Sequence, residues 1–97
     1  MKLKDEFVIT DLGESSVLVP VGEMAESLHG IIQLNETAAF IVKQMKDDIT
    51  IDQIVDALIR EYEVERDEAE KSVLAVVEKL NEMGGIDNLA YNGNRKA

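Results

Sequence analysis

Ile49-Thr50-Ile51-Asp52-Gln53-Ile54-Val55-Asp56-Ala57-Leu58-Ile59-Arg60-Glu61-Tyr62 is the stretch from which the rest of the chain can be read. Thr50 and Gln53 are spaced as a capping box, each side chain placed to satisfy the other's backbone N–H. Ile49 and Ile54 occupy the hydrophobic-staple positions on either side of that cap. Ile51, Ile54, Val55, Leu58, Ile59 and Tyr62 then form one apolar stripe at helical spacing. This is a helix with a defined start and one face committed to a core.

Reading outward toward the C-terminus, Glu63-Val64-Glu65 is a short connector. A further helix is predicted from about Arg66 to Met83, with Ala69, Val73, Val76, Val77, Leu80 and Met83 on its core face. Gly84 and Gly85 end it, as left-handed caps do. Asn88 to Ala97 holds no periodic pattern, so the expected domain is 1–87 with a flexible tail over 88–97. Toward the N-terminus, Asp47-Asp48 is a turn. Before it lies another helix, capped by Asn35, with Glu36 set for the helix dipole and Ala38, Ile41, Val42 and Met45 as its stripe.

Ahead of Asn35 the residues turn β-branched and the runs shorten. Phe7–Thr10 and Ser15–Val19 read as strands of a hairpin around Leu12-Gly13-Glu14, the second stopped by Pro20 and Gly22. Residues 22 to 29 fit either a helical turn or an irregular loop. Ile31–Leu34 is a short third strand. Three N-terminal antiparallel strands followed by three helices make a small α+β domain of winged helix-turn-helix-like build. Its sheet has edges, and an open edge can accept another chain.

Charge and composition narrow the function classes. Twenty acidic residues against ten basic ones give a formal net charge of −10. Duplex nucleic acid and anionic membrane surfaces are bound through clustered Lys and Arg, which this sequence lacks. With no Cys there is no thiolate nucleophile, disulfide or Cys-ligated metal. His29 is the single histidine and reads as a surface or turn residue, so no metal or cofactor is expected. No Gly-rich phosphate loop opens a helix, and no nucleophile elbow surrounds Ser15, Ser16 or Ser72. The acidic run Glu61, Glu63, Glu65, Asp67, Glu68 and Glu70 lacks the central Gly of a calcium loop. It reads as a solvated helix start, or as a surface that steers a basic partner. No apolar run approaches membrane-spanning length, and the N-terminal residues do not read as a signal peptide, so a cytoplasmic protein is expected.

One feature of the last helix is left over from its core face. Leu74 stands about 100° or more from the centre of the stripe, with Val77 between and Glu70 and Asn81 flanking. Such a second apolar face beside a short sheet suggests a groove for a peptide. Ordinary packing against the N-terminal strands is the plainer alternative.

The segment Gly30-Ile31-Ile32-Gln33-Leu34-Asn35-Glu36-Thr37-Ala38-Ala39-Phe40-Ile41 resembles the signature of PqqD-like proteins. So does Thr50–Leu58 followed by Glu61-Tyr62-Glu63-Val64, and so does the loop Val19-Pro20-Val21-Gly22. The resemblance covers about residues 5 to 86. Two positions depart from the pattern: Val42 stands where an aromatic residue is usual, and Glu65-Arg66 where the last helix usually starts with Asp then Pro. The resemblance implies a RiPP recognition element, a non-catalytic module that binds the leader of a ribosomally made precursor peptide. The leader would add as a strand to Ile31, Ile32, Gln33 and Leu34 and pack on the last helix near Glu70, Leu74, Val77 and Asn81. It also implies a separate modifying enzyme, often a radical S-adenosylmethionine enzyme, with this chain acting in trans. A monomer or weak homodimer is expected. The residues leave open a structural adaptor that docks onto an enzyme. A winged-helix DNA-binding regulator would want a basic last helix, but Lys71 and Lys79 stand there among Glu68, Glu70, Glu78 and Glu82.

Overall fold

The computed structural model describes residues 1–13, 15–27 and 31–87. The expectations for His29, for Gly30 and for a tail over 88–97 lie outside the described residues. The element order is β1 (Lys2–Leu3), β2 (Phe7–Asp11), β3 (Ser16–Pro20), α1 (Glu23–Ser27), β4 (Ile32–Leu34), α2 (Glu36–Gln44), α3 (Ile51–Tyr62), α4 (Arg66–Glu82) and β5 (Ile86–Asp87). The expected three strands form one antiparallel sheet in the order β2-β3-β4. The expected three helices are α2, α3 and α4.

The structure adds two things to that plan. Residues 22 to 29 hold a short helix, α1. β1 and β5 form a second, two-stranded antiparallel pair, with Lys2 opposite Asp87 and Leu3 opposite Ile86. Strands of two residues carry no periodicity, so the sequence pattern gave no sign of them. Two boundaries also move. Pro20 is the last residue of β3 rather than its stop, opposite Phe7. There its missing N–H costs no bond to β2, because the neighbouring pair Glu6/Val21 is the bonded one. Ile31 lies just outside β4.

The helices start where their caps place them. Asn35 Oδ1 accepts from the Ala38 N–H at 2.8 Å. Thr50 Oγ1 accepts from the Gln53 N–H at 3.1 Å, and Gln53 Oε1 accepts from the Thr50 N–H at 3.0 Å, completing the box. α3 ends on Glu63, whose φ of 53° is left-handed, with its N–H bonded to Ile59 C=O. α4 has no side-chain cap at Glu65; Asp67 and Glu68 in its first turn oppose the dipole instead. At its other end Gly84 takes φ 72°. A Cβ on the following Gly85 would sit 3.0 Å from the Phe7 ring, so the chain passes closest to the sheet where no side chain exists.

Leu18 from the sheet meets Ile41, Val42 and Met45 of the α2 segment, Ile54, Val55 and Leu58 of α3, and Val73 and Val77 of α4, all fully buried. Met1 and Leu3 close the bottom of this core, with Leu3 N–H donating to Met45 C=O at 2.9 Å. No buried side-chain nitrogen or oxygen among the described residues lacks a hydrogen-bond partner. Burial at this scale, at roughly 25 cal/mol per Å² of apolar surface, is what holds so small a domain together.

Candidate peptide-binding edge

Among the described residues β4 is an edge strand with one neighbour, β3. Its register sets Ser16 opposite Leu34, Val17 opposite Gln33 and Leu18 opposite Ile32. On the other side of β3, the Leu12 N–H donates to Ser15 C=O and the Val21 N–H to Glu6 C=O, each at 2.7 Å. Bonded pairs alternate along an antiparallel ladder, so Val17 and Val19 face β2 while Ser16 and Leu18 face β4. Leu34 and Ile32 are therefore spent on β3. The N–H and C=O of Gln33, and those of Ile31 before it, point to the open side. This is a short row of donors and acceptors with no described strand beside it.

The side chains of that segment divide by face. Ile32 and Leu34 share the inner face with Phe7, Ile9 and Leu18, Leu34 buried and Ile32 half-buried. Gln33 is exposed on the outer face, and Ile31 is 59% exposed. Val17, also on the outer face, is buried without joining the main core.

Helix α4 has two flanks, and the contacts distinguish them. Arg66 pairs with Asp56 at 3.0 Å, with Asp52 at 3.8 Å and with Glu70 at 3.5 Å, which ties the Arg66–Glu70 flank to α3. The hydrogen bond to Asp56, ahead of the surrounding carboxylate charge, raises the Arg66 pKa further. The other flank borders a cleft of about 530 Å³ whose lining includes Thr37, Tyr62, Val64, Glu68, Lys71 and Ser72. Thr37 follows Leu34 by three residues, so this flank is the one that meets the β4–α2 junction. Val76 and Met83 continue it by helical spacing, both half-buried.

The expected site residues fall unequally on this frame. Ile31, Ile32, Gln33 and Leu34 are brought to one open edge. Val77 is fully buried and reaches no surface; it supports the helix from beneath. Leu74 is 38% exposed but points about 160° away from Ser72, toward the Arg66–Glu70 flank. Glu70 is held by Arg66, and Asn81 is exposed on that same flank. The structure thus does not bring Leu74, Glu70 and Asn81 to the cleft at Thr37. Ser72 and Tyr62 line it without having been singled out; no residue-type signal marks a Ser on a helix flank, and Tyr62 had been assigned to the core stripe.

Tyr62 joins this cleft to a second one, of about 570 Å³, between the hairpin end and α2. Its ring packs edge-on to Phe40 at 5.5 Å, and its hydroxyl donates to Glu36 Oε2 at 3.2 Å. Desolvation first, and then the Glu36 carboxylate, raise the phenol pKa, so the hydroxyl remains a donor at neutral pH. Among the described residues no group of His, Cys, Asp or Glu is placed to hold a metal ion. No described helix is long and apolar enough to cross a membrane.

Comparison with known proteins bears on the fold and the family. No curated protein sequence matches at a significant level. The solved complex of TbiB1 with the TbiA(beta) leader peptide has the same fold, with TM-score 0.73 and 21% identity, over 93% of this chain and 99% of that one. The solved lasso peptide synthetase B1 complexed with the leader peptide superposes with TM-score 0.68 and 33% identity, over 87% of this chain and 93% of that one. The family model for coenzyme PQQ synthesis protein D matches residues 8–86, which runs from the second residue of β2 through α4 to the start of β5. The chain belongs to the PqqD family.

Proposed function

We propose that this chain is a non-catalytic peptide-binding module. It takes the leader of a ribosomally synthesised precursor as an added strand on β4 and presents it to a separate modifying enzyme, a radical S-adenosylmethionine enzyme or another. The observation that carries this reading is the N–H and C=O of Gln33, which have no partner among the described residues at the centre of the β4 edge. Strand addition draws affinity from such main-chain bonds and selectivity from side-chain pockets. Two structural neighbours were solved with leader peptides bound, which supports a leader peptide as the ligand here. The domain that does this is taken as residues 1–87, closed by the β1–β5 pair. The α4 wall of the site falls to the Ser72 flank, with Val76 and Met83, rather than to Leu74.

The test is calorimetric titration of a candidate leader peptide into Gln33→Pro. The lost N–H points to solvent in the free protein, so circular dichroism should be unchanged. Affinity should fall roughly tenfold or more, the loss of one main-chain bond with its partner left unpaired. Wild-type affinity in a folded Gln33→Pro protein would sink the β4 reading. Ser72→Trp and Leu74→Asp then separate the two flanks of α4. Loss in Ser72→Trp alone assigns the peptide to the Thr37 side, and loss in Leu74→Asp alone moves it to the α3 side.

A further inference from the structure

The sheet has a second open edge, built differently from the first. By the same alternation, Val8 and Thr10 are bonded to β3, and the N–H and C=O of Ile9 and Asp11 point away from it. No described strand pairs with that side of β2. Beside it runs a groove of about 410 Å³. Leu3, Phe7, Ile9 and Val42 give it an apolar floor, Lys43 and Lys46 stand on its rim, and Asp11 lies at one end.

Its charge runs against that of the whole chain. The formal net charge is −10, yet among the described residues the one carboxylate lining this groove is already occupied. Asp11 accepts from Ser16 Oγ at 2.6 Å and pairs with Lys43 at 3.3 Å. Lys46 has no ion-pair partner among the described residues. Lys4 and Lys2, the latter paired with Asp5 at 3.7 Å, flank Leu3 in sequence, and the Leu3 N–H bond to Met45 places that strand beside Lys46. An open strand edge, an apolar floor and a lysine rim together fit an extended segment with apolar residues on one face and carboxylates among the rest.

We propose that the β2 edge docks an acidic, extended segment of a partner protein while β4 holds the leader. Identifying that protein with the modifying enzyme rests on the peptide-presenting reading above. The two edges lie on opposite sides of a three-stranded sheet, roughly 10 Å apart between strand axes, so both can be filled at once. A second copy of this chain is the poorer occupant. Two β2 strands paired about a two-fold axis would set the lysine rims of both chains against each other.

The probe is a short capped peptide alternating valine and glutamate, compared with its valine–lysine counterpart. Amide hydrogen exchange is read by NMR at Ile9, Asp11 and Gln33. The glutamate peptide should slow exchange at Ile9 and Asp11, leave Gln33 unchanged, and bind roughly tenfold tighter than the lysine peptide at low salt. Lys43→Glu combined with Lys46→Glu should remove most of that preference. Lys46→Glu alone, at an exposed and unpaired position that cannot disturb folding, should remove part of it. Equal binding of the two peptides, or protection confined to Gln33, would overturn the proposal. So would a dimer in sedimentation that the glutamate peptide does not dissociate. Leader binding is followed on the same samples at Gln33. Its failure there, with Ile9 protection kept, would remove the peptide-presenting reading and leave the second edge standing.

Discussion

The helices and the sheet of this protein handle their backbone groups in opposite ways. α2 and α3 start on side chains that satisfy their first N–H groups, and α3 and α4 end on residues held in the left-handed region or on glycine. The centres of their stripes, Ile41, Val42, Ile54, Val55, Leu58, Val73 and Val77, are fully buried in one core. The sheet is three short strands with both outer edges unpaired by any described strand, and with apolar groups such as Val8 and Ile31 left 44% and 59% exposed. One region satisfies its own ends; the other leaves its edges without a partner among the described residues. Stability is therefore assigned to the helices and recognition to the sheet. Changes in the first should move folding and spare the binding edge of what remains folded.

The hardest test of that division is Leu58→Ala. Leu58 is 1% exposed at the centre of α3. Truncation removes its buried methyl groups and leaves a cavity, at about 2–5 kcal/mol. Leu74→Ala, at a residue 38% exposed, should cost well under that, about 1 kcal/mol or less. Denaturant unfolding of both variants measures the difference. Equal losses would mean that Leu74 is packed as core and that α4 has no free flank.

A smaller effect is expected at the cap. Thr50→Ala removes the acceptor for the Gln53 N–H and breaks the reciprocal box, at about 1 kcal/mol. The same unfolding experiment detects it, and titration of the folded variant with a leader peptide should give the wild-type affinity. A loss of affinity without a loss of stability would show that α3 shapes the binding edge directly, against the division drawn here.

What could be read from the sequence follows the same line. The capping box, the staple and the stripe of α3 are local: their spacing is the interaction. The hairpin and β4 were legible for a similar reason, β-branched runs bounded by turn residues. β1 and β5 were not, because a two-residue strand exists only through its partner eighty-odd positions away. The site shows the limit more sharply. That Ile31–Leu34 forms an edge follows from its being the last of three short strands. Which flank of α4 faces that edge does not follow from α4 at all. Leu74 looked free because it stood outside the stripe, but Arg66 turns that flank toward Asp52 and Asp56 of α3. Ser72 meets Thr37 only once α2 is packed.

The smallest expected effect lies where the two regions touch, at the Asp11–Lys43 link between β2 and α2. The hydrogen bond from Ser16, then the hydrogen bond and charge of Lys43, lower the Asp11 pKa below its ordinary 3.8. A carboxyl lowered in this way binds fewer protons folded than unfolded. Its contribution to stability is then complete at pH values above 3.8 and is lost as pH falls through the lowered folded value. The group is exposed and salt-screened, so the contribution is small. Comparing wild type with Asp11→Asn by denaturant unfolding isolates it. The difference should be constant from neutral pH down to about 5, shrink on further acidification, and weaken at high salt. A difference that stays flat through the acid range would mean that Ser16 and Lys43 do not hold the carboxylate in solution. The β2 edge would then lose the neutralised end that leaves its lysines in excess. Leader affinity at β4, on the far side of the sheet, should not follow this titration at any pH.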